Sequence, residues 1–260
     1  MTNYMGNLAY VRNYSNVIQF EDIRNKNNGQ DDNCNKEHPL AGKSSEVYAF
    51  RTKEEIAAMI SVFDKHIDEA ENDNQRQIAC RNKMLFVIGI NVGIRASDLR
   101  TLRWSFFFDK QNDGSLKFKK SYTLQPMKQR KQKKFVKLYF NETVKQVINN
   151  YVAEYPVYDL NGYLFASRKG DEPICVRSLW RVIKEAAREA GIEQNIGSHS
   201  LRKTWAFHCW HEAEDKNKAL VVLQQCFNHS STQVTMRYIG LMDDEISDMY
   251  NSIELGLDMI

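Results

Sequence analysis

Gly93-Ile94-Arg95-Ala96-Ser97-Asp98-Leu99-Arg100-Thr101-Leu102 closes the most apolar run of the chain, residues 84–94. Only Asn91 interrupts that run, which is too short to cross a bilayer and reads as a buried helix over about residues 76–92. Gly93 fits the helix end, where a left-handed residue is commonly required. A short helix is expected to start near Ala96, so Arg95 follows a helix end. Asp98 in this setting either holds the backbone near Arg95 or caps the helix it begins.

Working outward, Thr52 and Glu55 form a Thr-x-x-Glu capping box ahead of Ile56, Met59, Ile60 and Phe63, which share one face of a helix. Beyond Leu102 comes a β region. Residues 104–108 are a candidate strand, and Asp113-Gly114 is a turn signal. Residues 116–124 and 134–140 look like antiparallel strands around a basic turn. Helices are expected at about 142–154, 176–190, 199–213, 216–227 and 231–238, with a tail helix from Glu245. The fold class is α+β, mainly α, with a small antiparallel sheet.

The 260 residues allow one or two domains at roughly 100–200 residues each. Hydrophobic residues make up 42% and aromatics 11%, which excludes a generally disordered chain. Residues 1–50 are rich in Asn and are expected to form an N-terminal extension, poorly ordered or partly β. A catalytic domain is expected over 51–242, then an acidic tail over 243–260. The N-terminus carries no signal-peptide pattern and no span suits a membrane helix. The five cysteines show no paired spacing, which suggests reduced thiols in the cytoplasm. His208, Cys209 and His211 stand close together with no second cluster, so they read as core and surface residues, and no metal is expected.

The net charge of +3 conceals segregation. Residues 100–140 hold 12 basic and 2 acidic side chains, whereas residues 241–260 hold 6 acidic and no Lys or Arg. A local basic block suits a phosphate-backbone binder, although a solvated lysine-rich hairpin would look the same from charge alone.

Three further segments carry chemistry: Ser198-His199-Ser200-Leu201-Arg202-Lys203-Thr204, Phe227-Asn228-His229-Ser230-Ser231, and Thr235-Met236-Arg237-Tyr238. Each residue alone has an ordinary structural use. Taken in order with the Gly93 segment, the four resemble the catalytic domain of the tyrosine recombinases, the phage-integrase family. That family has an Arg after a helix end in a G-x-R-x-S-[E/D]-L setting, a later H-x-x-R, and an L-G-H-S box with a Tyr nine residues past its His. His229 and Tyr238 are nine apart. On one continuous helix they would face opposite ways, so a break is expected between them, with Ser230 and Gln233 suited to start the next helix. Asn228 stands where the family usually has Gly, and Asp98 where Glu is commoner.

The resemblance implies cleavage of a DNA phosphodiester by the Tyr238 hydroxyl, leaving a 3′-phosphotyrosine and a free 5′-hydroxyl. Arg95 and Arg202 match the two guanidinium forks that neutralise the phosphate oxygens without a metal. A tyrosine with a pKa of about 10 needs a base, and His199 matches that role. His229 matches a second phosphate contact. The family's leaving-group acid is a Lys on a strand turn. Within Pro126-Met127-Lys128-Gln129-Arg130-Lys131-Gln132-Lys133-Lys134, Lys128 is the best match and Lys131 the contender. Arg130, Lys131, Lys133, Lys134 and Lys203 are candidate DNA contacts. The implied partners are double-stranded DNA, three further copies in a synaptic tetramer and accessory DNA-bending proteins; no cofactor is implied. Members usually carry a helical clamp domain ahead of the catalytic domain, and only about 50 residues precede it here. The family's terminal segment often docks on a neighbour, and Ile246, Met249, Ile253 and Leu257 recur at helical spacing. Two other activities share these residues: a DNA-binding regulator that no longer cleaves, and a topoisomerase of the same chemistry.

Overall fold

The computed structural model describes residues 47–127, 135–167 and 171–253. Helix α1 (Lys53–Asp68) starts at the expected box: Glu55 N–H donates to Thr52 Oγ1 at 3.1 Å, and Glu55 Oε2 accepts from Thr52 N–H at 3.1 Å. Met59 and Phe63 are buried on its apolar face. Helix α2 (Asp73–Val92) starts three residues earlier than the periodicity suggested, because Asn72 caps it through Gln75 N–H. Its second half supplies the fully buried Met84, Leu85, Phe86 and Ile88. Each such side chain contributes about 1.5–3 kcal/mol on leaving water. Gly93 ends α2 at φ 62°, and α3 (Ala96–Leu99) follows at once.

The β region departs from expectation. Residues 104–106 form a 3-10 turn rather than a strand, and only Phe108 onward is extended. The cause is tertiary: Trp104 and Ser105 N–H groups donate to Gly162 and Leu160 carbonyls, and the Trp104 ring stacks on Tyr151 at 5.7 Å. Strand β1 (Phe108–Lys110) pairs antiparallel with β2 (Leu116–Phe118) around the Asp113-Gly114 turn. Strand β3 (Ser121–Leu124) pairs antiparallel with β4 (Val136–Tyr139), Thr123 opposite Lys137. The long strand expected over 116–124 is thus broken after Lys119: the Lys119 N–H still pairs with the Phe107 carbonyl beside β1, whereas the Lys120 carbonyl accepts from Phe140 N–H beside β4. Two small two-stranded sheets take the place of one.

Helices α4 (Glu142–Glu154), α5 (Val176–Glu189), α6 (Ser198–His211), α7 (Lys216–Phe227), α8 (Thr232–Ile239) and α9 (Leu241–Asn251) complete the described chain. The tail helix begins at Leu241, four residues before the expected Glu245, because Gly240 serves both as the end of α8 and the start of α9. The main core gathers α1, α2, α4, α5, the sheets and Leu201 of α6. A second, smaller cluster joins Ala206 and Phe207 of α6 to Leu220, Leu223 and Phe227 of α7, Ile239 of α8 and Leu241. Helix α6 therefore belongs to both cores. Its approach to α2 is close: a Cβ on Gly89 would lie 2.6 Å from Leu201 Cδ1. Among the described residues no helix is long and apolar enough to cross a membrane.

Candidate functional site

Arg95 is the N-cap residue of α3, half-buried, and extended at φ −70°, ψ 151°. Gly93 sets that position. A Cβ there would lie 2.1 Å from the Trp205 ring of α6, so glycine answers both the left-handed cap and the contact with α6. Across this contact Arg202 Nη1 donates to the Gly93 carbonyl at 2.7 Å. Arg202 is 8% exposed, and its guanidinium lies over the Phe227 ring at 4.1 Å. Burial pulls its pKa below the usual arginine value and the neighbouring Arg95 adds to this; Tyr238 and Asp98 act the other way.

His199 lies exposed in the first turn of α6, three residues before Arg202 and so on the same face. The start of that helix is held by Ser200, whose buried hydroxyl accepts from Gly197 N–H at 3.0 Å. The break expected between His229 and Tyr238 is present. Asn228 ends α7 at φ 57°, a left-handed position that Asn tolerates better than most residues. Helix α8 is capped by Ser231 through Val234 N–H, one residue later than the Ser230–Gln233 expectation.

The turn brings the rings of His229 and Tyr238 to 5.3 Å, edge to face, with Phe227 5.1 Å from Tyr238. His229 Nδ1 faces Thr235 Oγ1 at 3.1 Å, and Thr235 Oγ1 also reaches the Ser231 carbonyl at 3.4 Å. With the threonine proton on that carbonyl, Nδ1 is the protonated nitrogen and Nε2 keeps its lone pair. Burial lowers the His229 pKa, helped by the positive charge of Arg202 and Arg95, which favours the neutral ring.

Tyr238 is held at the edge of the smaller core. Its hydroxyl is sealed from solvent, and no group is aligned to form a hydrogen bond with it. Burial raises its pKa, while Arg202 and Arg95 pull the other way by charge, Arg202 also through a poorly aligned polar contact. Arg95, Arg202, His229 and Tyr238 thus share one electrostatic site although they come from four separate segments.

Lys203, a candidate DNA contact, lies inside this site. It is 7% exposed and its Nζ lies 5.6 Å from the Tyr238 ring centroid. Lys128, Arg130, Lys131, Lys133 and Lys134 lie outside the described residues. Their approach is described up to Met127, whose N–H donates to Asp98 Oδ1 at 2.8 Å. Asp98 is 3% exposed and stands three residues from Arg95. It therefore fastens the root of the lysine-bearing segment beside the arginine.

Two features escaped the sequence reading. Thr235, fully buried, is the partner of His229, and nothing local marks it. Arg177, Arg181, Lys184 and Arg188 are all exposed on α5 at i, i+4, i+7 and i+11, which makes one cationic face about 16 Å long. That spacing was available in the sequence and could have been counted. His208 and His211, considered for metal, are engaged elsewhere: His208 Nε2 meets the Phe50 carbonyl at 3.0 Å, and His211 stacks on Phe207 at 5.5 Å.

The sequence profile of the phage integrase family matches residues 52–245. The probable integrase/recombinase YoeC of Bacillus subtilis is 35% identical over 170 residues, 65% of this chain and 83% of that protein. Tyrosine recombinase XerH of Campylobacter jejuni is 25% identical over 242 residues, 88% of this chain and 61% of its own length. The crystal structure of XerA recombinase superposes with a TM-score of 0.54 at 20% identity, over 79% of this chain and 65% of that one. A XerH recombinase in a post-cleavage complex with a palindromic difH substrate superposes at 0.53 and 18% identity, over 80% and 55%. The chain therefore spans little more than half to two-thirds of several relatives, and the structural likenesses establish the fold. With the profile covering most of its length, this chain belongs to the phage integrase family, the tyrosine recombinases.

Proposed function

We propose that the chain is a site-specific DNA recombinase acting in the cytoplasm on double-stranded DNA, with Tyr238 as nucleophile. The observation that carries this reading is the convergence on Tyr238: Arg202 beside its hydroxyl, Arg95 within electrostatic reach, and His229 against its ring. Tyr238 Oη forms a bond to phosphorus as the bond from phosphorus to the 5′-oxygen breaks. His199 takes the tyrosine proton, and Lys128, or Lys131 on the same turn, returns a proton to the 5′-oxygen. Arg95 and Arg202 hold the non-bridging oxygens as charge builds, and His229 joins them as a donor to the same phosphate when its Nε2 takes up a proton. One phosphodiester replaces another, so rejoining needs no nucleotide.

The cationic face of α5 is the natural complement to a duplex backbone, and the block at 100–140 adds to it. Four protomers in a synapse would bring two duplexes together. The sealed Tyr238 hydroxyl favours a second reading, a regulator that binds DNA without cleaving it. Trapping on nicked duplexes that carry the DNA flanking this gene separates the two. A detergent-stable protein–DNA adduct with the wild-type chain and none with Tyr238→Phe supports the recombinase. DNA binding with no adduct on any such duplex supports the regulator.

A further inference from the structure

We infer that Arg51 is a positioning residue for Tyr238: it pins the hinge between the nucleophile helix α8 and the tail helix α9. This rests on the recombinase reading for its effect on rate, but not for its effect on Tyr238 itself.

Three observations carry it. First, Arg51 Nη2 donates to the Gly240 carbonyl at 3.0 Å, across 189 residues of sequence. Gly240 is two residues past Tyr238, ends α8 at φ 81° and opens α9. The Gly240 carbonyl stands at the C-terminal end of α8, where the helix dipole leaves partial negative charge, so a guanidinium is a strong partner for it. The fit is close: a Cβ on Gly240 would lie 2.5 Å from Arg51 Nη2.

Second, the guanidinium is held on its aromatic neighbours. It lies 5.2 Å from the Phe207 ring of α6 and 5.4 Å from the Tyr48 ring. Such cation–π contacts fix a long side chain that would otherwise sample many rotamers.

Third, its backbone is fixed from both sides. Arg51 N–H donates to Glu55 Oε2 at 2.7 Å, within the cap of α1. Just before it, Phe50 N–H donates to Thr204 Oγ1 at 2.9 Å, and the Phe50 carbonyl meets His208 Nε2 at 3.0 Å. Thr204 and His208 belong to α6, two and six residues past Arg202. The strap over residues 47–51 therefore grips the helix that carries His199 and Arg202. Through Arg51 it also grips the end of the helix that carries Tyr238. It fixes the distance between the two halves of the site, and a nucleophile displaced by about 1 Å can lose a hundredfold in rate.

The test uses the full chain with fluorotyrosine placed at position 238 and compares Arg51→Gln and Arg51→Lys. Fluorine NMR without DNA reads the setting of Tyr238. Single-turnover adduct formation on a nicked duplex reads the rate, and duplex affinity is measured beside it. The expected result for Arg51→Gln is a shifted or split fluorine signal and a rate at least about tenfold lower, with affinity within about twofold. Arg51→Lys restores both toward wild type. An unchanged signal and rate in Arg51→Gln overturns the inference, as does a loss that Lys does not restore and that follows lowered thermal stability. Should Arg51→Gln fail to fold, Phe207→Leu, which loosens the guanidinium from its ring, is read the same way. If the wild-type chain forms no adduct but the fluorine signal responds to Arg51, the recombinase reading falls and the positioning role stands.

Discussion

Arg202 Nη1 donates to the backbone carbonyl of Gly93 at 2.7 Å, so a guanidinium of α6 is tied to the connection that presents Arg95. The two arginines are 107 residues apart in sequence, and this bond makes their separation a property of the folded backbone. Burial lowers the Arg202 pKa, and repulsion from the like charge of Arg95 adds to it. A bound phosphate relieves that repulsion. Arg202→Lys keeps the charge and loses the planar fork. It should lower adduct formation about 100- to 1,000-fold, the usual cost of one lost donor to a developing anion. Single-turnover kinetics with wild-type duplex affinity check this; a change below about tenfold would remove Arg202 from the transition state.

Gly93→Ala should be among the most damaging single changes. It forces a Cβ into a φ of 62° and against the Trp205 ring. The backbone strain alone costs about 1 kcal/mol, and the clash adds to it. Pairing it with Trp205→Leu should recover part of the loss, leaving the strain. Chemical denaturation of the two single variants and the double variant measures the coupling. Simple additivity would show that the ring contact is not the cause.

Asp98→Ala leaves the Met127 N–H without its acceptor at a nearly buried site, a loss of about 1–3 kcal/mol. Asp98→Asn keeps an acceptor oxygen and should lose less. If Lys128 or Lys131 acts from the segment beyond Met127, Asp98→Ala should also slow cleavage beyond its effect on stability. A substrate with a 5′-bridging sulfur, whose leaving group needs no proton, should recover that part of the rate.

The pH dependence has a defined sign. The folded His229 has a pKa below its unfolded value of about 6.5, so the unfolded chain binds the proton more readily. Its contribution to stability is present above that value and is lost as pH falls below it. Tyr238 is the opposite case: its folded pKa is raised, so its contribution is lost as pH rises past about 10. Thermal melts between pH 5 and 8 should flatten in His229→Gln, and melts above pH 9 should flatten in Tyr238→Phe. Unaltered slopes in these variants would mean that neither ring is shielded as described.

Duplex binding should fall with salt in proportion to the phosphates contacted. Each of Arg177→Gln, Arg181→Gln, Lys184→Gln and Arg188→Gln that removes a phosphate contact should reduce the logarithmic salt slope by about 0.9. Affinity measured from 50 to 200 mM salt decides it. Unchanged slopes for all four would assign the α5 face to solvent.

Local chemistry made much of this legible. The Thr52–Glu55 box, the apolar run ending at Gly93, and the turn between His229 and Tyr238 all follow from capping, periodicity and spacing, which act over a few residues. The errors arose where distant contacts override local preference. Trp104 looks like a strand residue until Tyr151 and the loop at 160–162 claim its ring and backbone. The strand expected over 116–124 breaks between Lys119 and Lys120 because the chain changes partner there, from β1 to β4.

The order and spacing of Arg95, His199, Arg202, His229 and Tyr238 were enough to identify the family and name the candidate site, because covalent bonds fix intervals along a chain. Tertiary structure alone decided the rest. It buried Lys203 beneath the Tyr238 ring, gave His229 its partner in Thr235, tied Met127 to Asp98, and carried Arg51 to Gly240. None of these pairs is marked by periodicity, because hydrogen bonding and burial depend on distance in space. That distance exists only once α6 has packed into both cores.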